Sequence, residues 1–322
     1  MAEDWLFPPD PHPYAGLLFI GDPHVAASPP GYRLDDYGKA ILEKLAVSLD
    51  VARDHNLLPI ILGDLFHLPR NNPNSLLVAL IDLFRPSYPF VLVGNHDKHE
   101  ARLTRDVSLA VLQAARVIRL IDREGQVCSL QIAGRQVFLG ASPDWTPIPA
   151  QVDKGFHEAV IWLTHHDLGF PGYDAARVPL KEIPGVDMVV NGHLHTPKPP
   201  RQCGGTTWFN PGGIARLALS SHTRNLTPSV FIWRPPNPGL TSVSLPHRPF
   251  EEVFPELTGH DDPDSEQDPE SLFIKGLENL LIRKTTEGVG LKSFLEANLI
   301  PDDPVDTYIW GLYEEVMHHE EK

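Results

Sequence analysis

The sequence predicts an α/β fold with a layered core, and three observations support that prediction. Short apolar runs alternate with helical patterns over the first 215 residues. The first three apolar runs each end at a glycine, namely Gly21, Gly63 and Gly94. The chain has 322 residues, of which 42% are hydrophobic, so it can form a sizeable core and an appendage. Alternating strands and helices are typical of sheets covered by helices.

The first three strands and two helices follow from hydrophobic periodicity. Apolar residues every three or four positions predict the helices, whereas short unbroken apolar runs predict buried strands. Arg85-Pro86 ends the second helix, because a residue before proline avoids the helical conformation. In chain order these elements are a strand at Leu17–Ile20, a helix at Asp35–Asn56, a strand at Pro59–Leu62, a helix at Ser75–Phe84 and a strand at Phe90–Val93.

Further apolar runs predict that strands continue as far as Trp233. Gly134 lies between the first two of these runs and predicts a hairpin. The runs are Val127–Ile132, Gln136–Leu139, Ala159–Leu163, Val186–Val190 and Val230–Trp233.

The composition changes after residue 233, which predicts three regions. The α/β domain, expected to carry any catalytic site, covers residues 1–233. Residues 234–250 are rich in proline and residues 251–270 are acidic, so 234–270 is expected to be a linker or a reduced capping segment. Helical patterns return over 271–322, where Asp303-Pro304 is typical of a helix start. We expect this C-terminal helical region to pack on the core, or alternatively to dock a partner.

Charge and cysteine content exclude some classes of protein. A formal net charge of −15 excludes a protein that coats nucleic acid through overall positive charge, although it allows a nucleic-acid substrate. Two cysteines, Cys128 and Cys203, cannot form a disulfide framework and indicate a reducing compartment. Residues 1–15 lack the pattern of a signal peptide, and no apolar run approaches the length of about 18 residues that suggests a membrane span. We therefore expect a cytoplasmic protein with no membrane partner.

Ligand-type side chains follow five of the predicted strands. The carboxyl ends of strands are where open α/β sheets bind ligands, so we expect these side chains to converge. Carboxylate, amide and imidazole groups suit Mn²⁺, Fe²⁺ or Zn²⁺. Seven such ligands are too many for one ion with an open position, and they suit two ions that share a carboxylate about 3.5–4 Å from each other. The seven are Asp22, His24, Asp64, Asn95, His165, His193 and His195.

The order of these motifs resembles the calcineurin-like metallophosphoesterase superfamily, in which D-x-H, G-D, G-N-H-[DE], a single histidine and G-H-x-H follow one another. The resemblance implies a layered β-sandwich flanked by helices, with a small C-terminal helical extension. It implies that one metal ion is held by Asp22, His24, Asp64 and His195, and the other by Asp64, Asn95, His165 and His193. A hydroxide between the two metals would be the nucleophile, and His96 the general acid. Asp97 would either orient His96 or cap a turn.

Within the superfamily, Gly63-Asp64-Leu65-Phe66-His67 is similar to the SbcD-type DNA-repair exonucleases, the nuclease subunit of the Mre–Rad complex. In that branch the histidine at the position of His67 helps to position the phosphodiester. Leu245–Phe250 resembles the entry to the capping domain of such nucleases.

This resemblance implies a two-metal phosphodiesterase acting on DNA, as an exonuclease or endonuclease with Mn²⁺. It also implies an SbcC-like ATPase or a second protomer as partner, through residues 271–322. The alternative is a phosphoesterase acting on small nucleotides or cyclic nucleotides, which the charge of −15 favours. Trp145 is expected to serve packing, with a base-stacking platform as the alternative.

Overall fold

The computed structural model describes residues 5–173 and 176–254. Within these ranges the chain forms two β-sheets and five helices. The strands are β1 (Asp10–Tyr14), β2 (Gly16–Ile20), β3 (Leu57–Ile61), β4 (Phe90–Leu92), β5 (Arg119–Ile121), β6 (Gly125–Ile132), β7 (Arg135–Ser142), β8 (Ala159–Thr164), β9 (Met188–Asn191), β10 (Lys198–Cys203), β11 (Thr206–Asn210), β12 (Ser229–Trp233) and β13 (Thr241–Ser244). The helices are α1 (Tyr37–Asp54), α2 (Asn74–Phe84), α3 (Ser108–Ala114), α4 (Ser221–Asn225) and α5 (Phe250–Val253).

Both sheets contain a block of parallel strands. The first sheet has the order β13-β12-β2-β3-β4-β5, and its strands β2 to β5 are parallel. The second has the order β1-β6-β7-β8-β9-β11-β10, and β7, β8, β9 and β11 are parallel. Each block therefore presents several strand carboxyl ends side by side, which is where the predicted ligands follow.

Strand β2 shows why the sequence contains unbroken apolar runs. Leu17 and Phe19 belong to the core cluster between the two sheets, whereas Leu18 and Ile20 belong to the cluster between the first sheet and helices α1, α2 and α3. All four side chains are buried. A strand covered on both faces needs apolar residues at every position, because neighbouring side chains point to opposite faces.

Helix α1 covers the first sheet with the apolar stripe that the sequence predicts. Ile41, Leu45 and Leu49 are buried on that stripe. Its start lies two residues later than predicted, because the Asp36 side chain caps it by accepting a hydrogen bond from the Lys39 N–H at 3.1 Å. It ends before Asn56, which adopts a left-handed conformation with φ of 49°.

The layered α/β prediction is confirmed, and so is the hairpin at Gly134, which joins the antiparallel strands β6 and β7. Strands β1, β5, β10, β11 and β13 and helices α3, α4 and α5 are not among the predicted elements. Strand β10 contains two prolines and exposed residues, which are tolerated because β10 is an edge strand paired only with β11. Its existence depends on a neighbouring strand and not on its own apolar pattern.

The region after Trp233 continues to pack against the α/β domain as far as Phe254. Strand β13 pairs antiparallel with β12, and Leu245 belongs to the core cluster under the helices. The chain divides into two compact units, Met1–His260 and Asp261–Lys322. The remainder of the predicted linker and the helices predicted over 271–322 lie outside the described residues. Among the helices of the described part, none combines the length and the apolar character needed to cross a membrane.

Candidate metal centre

The structure brings the seven predicted ligands together at the carboxyl ends of five strands. Strands β2, β3 and β4 of the first sheet lead into Asp22 and His24, into Asp64 and into Asn95. Strands β8 and β9 of the second sheet lead into His165 and into His193 and His195. Two groups of these side chains offer ligand atoms that all lie within 4.8 Å of one another. The convergence joins the two sheets at one edge.

The loops that carry these side chains have an unusual backbone. Asp22, His24, Asp64 and His193 have positive φ, between 40° and 71°. A non-glycine residue in this region costs on the order of 1–3 kcal/mol, and such strain collects at functional sites. At Gly94 a Cβ would collide with the Asp64 carboxylate, so only glycine allows the β4 loop to approach Asp64.

The first group consists of Asp22, His24, Asp64 and His195. The Nε2 atoms of His24 and His195 lie 2.9 Å apart, and His24 Nε2 lies 3.6 Å from Asp64 Oδ2. Asp22 Oδ1 accepts a hydrogen bond from the His193 N–H at 2.8 Å, which links the ends of β2 and β9. Asp22, His24 and Asp64 are almost completely buried.

The second group contains Asp64, His165 and His193, and Asn95 lies between the two histidines. The Asn95 Oδ1 atom is 3.1 Å from His165 Nε2 and 2.9 Å from His193 Nδ1. His165 Nε2 is also 3.3 Å from Asp64 Oδ2, while its Nδ1 lies 2.8 Å from the Leu62 carbonyl oxygen. Asp64 therefore belongs to both groups, as a shared ligand must.

The donor set fits divalent metal ions. The buried atoms Asp22 Oδ2 and Asp64 Oδ2 have no hydrogen-bond partner among the described residues, and neither has His24 Nδ1. Leaving a buried polar atom unsatisfied costs about 1–3 kcal/mol, and more if it is charged. Cations bound between the carboxylates would satisfy these oxygens, and the nitrogen and oxygen donors suit Mn²⁺, Fe²⁺ or Zn²⁺.

The electrostatics of the cluster favour a cation in the same place. Burial raises the pKa of Asp22 to about 6, assisted by the neighbouring Asp64 carboxylate and opposed by His165. Burial would lower the pKa of His165, but Asp64 and Asp22 outweigh it and raise that pKa to about 10. Burial lowers the pKa of His195 to about 4, which keeps its imidazole neutral at pH 7.

Two further histidines border the first group. His67 and His96 are partly exposed, and with His24 they form a third close group. Their rings are stacked, with centroids 5.7 Å apart. His96 is positioned by its backbone N–H, which donates to Asp64 Oδ1 at 2.8 Å, and by Nδ1, which lies 2.8 Å from the His67 carbonyl oxygen.

Asp97 is completely buried and joins two loops. Its Oδ1 accepts from the Phe66 N–H at 3.1 Å and its Oδ2 from the Gly94 N–H at 3.0 Å. Burial and the nearby Asp64 raise its pKa to about 6. Of the two roles expected from the sequence, these hydrogen bonds correspond to capping a turn, and the structure shows no hydrogen bond between Asp97 and the His96 side chain among the described residues.

Asp167 is a site residue that sequence reasoning missed. Its Oδ1 lies 2.8 Å from His193 Nε2 and accepts a hydrogen bond from the Tyr173 hydroxyl at 2.6 Å. Burial alone would raise its pKa, but these two partners and Arg177 lower the pKa to about 2. A carboxylate on the outer nitrogen of a ligating histidine orients the ring. The sequence contained one signal for it: Asp167 follows the predicted ligand His165 by only two residues, after the end of β8.

A search of curated proteins found no match. One of the solved structures that resemble the chain is a 5'-nucleotidase precursor from Thermus thermophilus, with 13% sequence identity and a TM-score of 0.39. The similarity covers 67% of this chain and 50% of that structure, so the chain spans about half the length of this relative. Residues 16–197 match the family model described as calcineurin-like phosphoesterase. This match extends over more than half of the chain and includes every residue of the metal cluster, so the chain belongs to the calcineurin-like phosphoesterase family.

Proposed function

We propose that this metal-dependent phosphoester hydrolase cleaves phosphodiesters, and that its substrate is DNA. The observation that carries the proposal is the pair of partly exposed, stacked histidines, His67 and His96, beside the buried carboxylates. A diester has a leaving oxygen and a second esterified oxygen. Two imidazole rings side by side can each contact one of these oxygens. One histidine would suffice for protonating the leaving oxygen of a monoester.

The metal ions would be held by the two groups described above, with Asp64 shared. Two bound divalent ions polarise a phosphoryl group and lower the pKa of water between them. We expect Mn²⁺, with Fe²⁺ or Zn²⁺ as alternatives, because the donors are oxygen and nitrogen without thiolate.

His96 is the proposed general acid. Its Nδ1 is held by the His67 carbonyl oxygen, so protonation at Nε2 gives an imidazolium of fixed orientation. That imidazolium can donate the Nε2 proton to the leaving oxygen. His67, whose pKa is lowered to about 4 by burial and by His96, remains a neutral hydrogen-bond partner for the diester at neutral pH.

Trp145 supports a substrate that contains nucleobases. Its side chain is 67% exposed, so the expectation that it serves packing is wrong. The loop that carries it is hydrogen-bonded to the two segments that lead to Asn95 and His165: the Asp144 N–H donates to the Val93 carbonyl at 3.1 Å, and the Thr146 carbonyl lies 2.8 Å from His166 Nε2. An exposed indole on such a loop can stack on a base, which contributes about 1–3 kcal/mol.

The second candidate is a phosphoesterase acting on small nucleotides or cyclic nucleotides. Two cations close to the cluster are already paired with carboxylates: Lys98 with Asp144 at 2.9 Å and Arg177 with Asp167 at 3.4 Å. Paired cations contribute little to binding a polyanion, whose affinity grows with each phosphate neutralised. A small substrate needs fewer such contacts.

The test compares substrates of the purified full chain with Mn²⁺: single-stranded and double-stranded DNA, cyclic adenosine monophosphate, bis(p-nitrophenyl) phosphate and p-nitrophenyl phosphate. We expect cleavage of DNA and of the diester, and slower cleavage of the monoester. His67→Ala should reduce turnover of DNA and of bis(p-nitrophenyl) phosphate more than turnover of p-nitrophenyl phosphate. Intact DNA together with hydrolysis of the cyclic nucleotide would establish the second candidate instead.

Trp145→Ala separates base recognition from the chemistry. We expect kcat/KM for DNA to fall by about 5-fold to 150-fold, the equivalent of one stacked base, and to fall much less for bis(p-nitrophenyl) phosphate. Phe156→Ala is the matched control, because Phe156 is equally exposed but precedes β8, at the end opposite the metal cluster. Equal losses on both substrates would contradict a stacking role.

A further inference from the structure

A second polar pocket, outside the metal centre, lies at the start of helix α1. Its volume is about 350 Å³, which is within the range of small-molecule sites. The beginning of α1, Arg216 and the segment from Pro246 to Val253 line it. Its basic residues are Arg33, Lys39, Lys44, Arg216, His247 and Arg248. We call this the basic pocket.

Three of the cations are buried, and they outnumber the buried carboxylates around them. Arg33, Lys44 and Arg216 are 6–7% exposed. Arg33 forms a two-point ion pair with the buried side chain of Asp35, at 2.9 and 2.7 Å. Lys44 Nζ donates to the Ile214 carbonyl at 2.9 Å, and Arg216 donates to the carbonyls of Leu226 and Arg248. Among the described residues, neither Lys44 nor Arg216 has a carboxylate within ion-pair distance.

The remaining acidic residues near the pocket do not cancel this excess, since Glu251, which acts on Arg216, is paired with Arg224 at 3.2 Å. Asp36 is used as the cap of α1. Glu43 faces the equally exposed Lys39 at 3.9 Å, and solvent screens such a pair. Burying a charge away from water without an opposite charge is unfavourable. The buried ammonium and guanidinium groups would therefore stabilise an anion bound beside them.

From this arrangement we infer that the basic pocket binds the phosphate group of a small molecule. A phosphate oxygen can accept from the two unused N–H groups of Lys44, and guanidinium groups match phosphate geometry. Arg248 also lines the pocket and is exposed, so its guanidinium can turn toward a bound ligand. The volume exceeds that of a bare phosphate ion, which leaves room for an attached organic group such as a nucleoside.

The protonation of Lys44 supports the same inference. Burial, together with Arg33 and Arg216, lowers its pKa to about 7, with Asp35 opposing them. An anion in the pocket would offset the two neighbouring guanidiniums and restore the charged ammonium. The Lys44 bond to Ile214 also ties the pocket to the metal centre, since the Ile214 N–H donates to the Gly21 carbonyl and the Gly213 N–H to the His195 carbonyl, each at 2.9 Å.

The test is calorimetric titration of the full chain at about pH 6.5 in the presence of chelator, so that phosphate cannot bind through metal ions. The probes are inorganic phosphate and adenosine 5'-monophosphate. We expect saturable binding that Lys44→Met and Arg248→Gln each weaken about tenfold or more, because each removes one charge-assisted contact. Lys154→Met is the matched control, since Lys154 is paired with Asp187 elsewhere on the surface.

The outcomes separate the possible ligands. Tighter binding of the nucleotide than of inorganic phosphate supports a nucleoside phosphate, and equal binding supports recognition of the phosphate alone. No saturable binding of either probe would overturn the inference, as would affinities that Arg248→Gln leaves unchanged. Arg248→Gln decides the question even if Lys44→Met does not fold, because Arg248 is exposed. The chelator makes the result independent of the function proposed for the metal centre.

Discussion

The metal cluster and the basic pocket are two buried polar regions that adjoin the same loop, residues 213–216, but they satisfy their charges differently. In the metal cluster, oxygens of Asp22 and Asp64 and a nitrogen of His24 are buried without hydrogen-bond partners among the described residues. In the basic pocket, the buried side chains of Arg33, Lys44 and Arg216 each donate at least one hydrogen bond to a carbonyl or carboxylate oxygen.

The difference shows what each region needs in order to be complete. The metal cluster carries strained backbone and unsatisfied ligand atoms, so its donor set fits bound cations. In the basic pocket each buried cation has a hydrogen-bond partner, but positive charge is in excess, so the pocket favours an anion.

The largest effect is expected from Asp64→Asn, which keeps an acceptor for the His96 N–H but removes the charge shared by both ligand groups. We expect loss of both metal ions and a fall of diester hydrolysis to background. Metal content by mass spectrometry and the rate with bis(p-nitrophenyl) phosphate measure this. Retention of two ions per chain would show that Asp64 is not the shared ligand. In the chelated protein, phosphate binding at the basic pocket should be unaffected.

His96→Ala should reduce kcat by about 10²–10⁴-fold, the usual contribution of a general acid, and leave the metal content unchanged. The matched control is His99→Ala, because His99 is exposed and only three residues further along the chain. If the metal content falls together with kcat, His96 is a ligand or a support of the site, not the acid.

Asp167→Asn should weaken metal binding by about 10–100-fold, the usual cost of losing the partner of a ligating histidine. The pKa of Asp167 is about 2, so its carboxylate is charged throughout the neutral range and the effect should persist there. Titration with Mn²⁺ measures the affinity. Asp54→Asn is the control, because it makes the same change at an exposed residue of helix α1. Unchanged affinity would mean that His193 is oriented without Asp167.

The last prediction concerns the stability of the fold and not metal binding or catalysis. The pKa of Lys44 is about 7 in the folded chain, against an ordinary value of 10.5. Between these values the unfolded chain binds a proton that the folded chain does not, so stability rises with pH, by at most about 1.4 kcal/mol per pH unit. Urea unfolding in phosphate-free buffer should show that the stability of the wild type relative to Lys44→Met increases from pH 7 to pH 10. A difference that is constant with pH would place Lys44 in solvent.

Local patterns were sufficient where apolar residues form an unbroken run or a helical stripe, as in β2 and α1. Burial of every residue of β2 appears in the sequence as an unbroken apolar run, which predicts a strand. Burial of one face of α1 appears as the spacing of Ile41, Leu45 and Leu49, which predicts a helix. Strand β10 and helix α3 were not predicted, since their formation depends on neighbours: β10 on hydrogen bonds from β11, and α3 on packing against α2.

The same division applies to the functional sites. Order and spacing along the chain were sufficient to identify the family, the strand-end motifs and the ligand-type residues. The folded structure was needed to show that Asp97 supports two loops, that Asp167 reaches His193, and that Lys44 lies beside Arg33 and Arg216. These contacts join residues far apart in sequence or on different loops, and their energies depend on burial and distance, which no local pattern records.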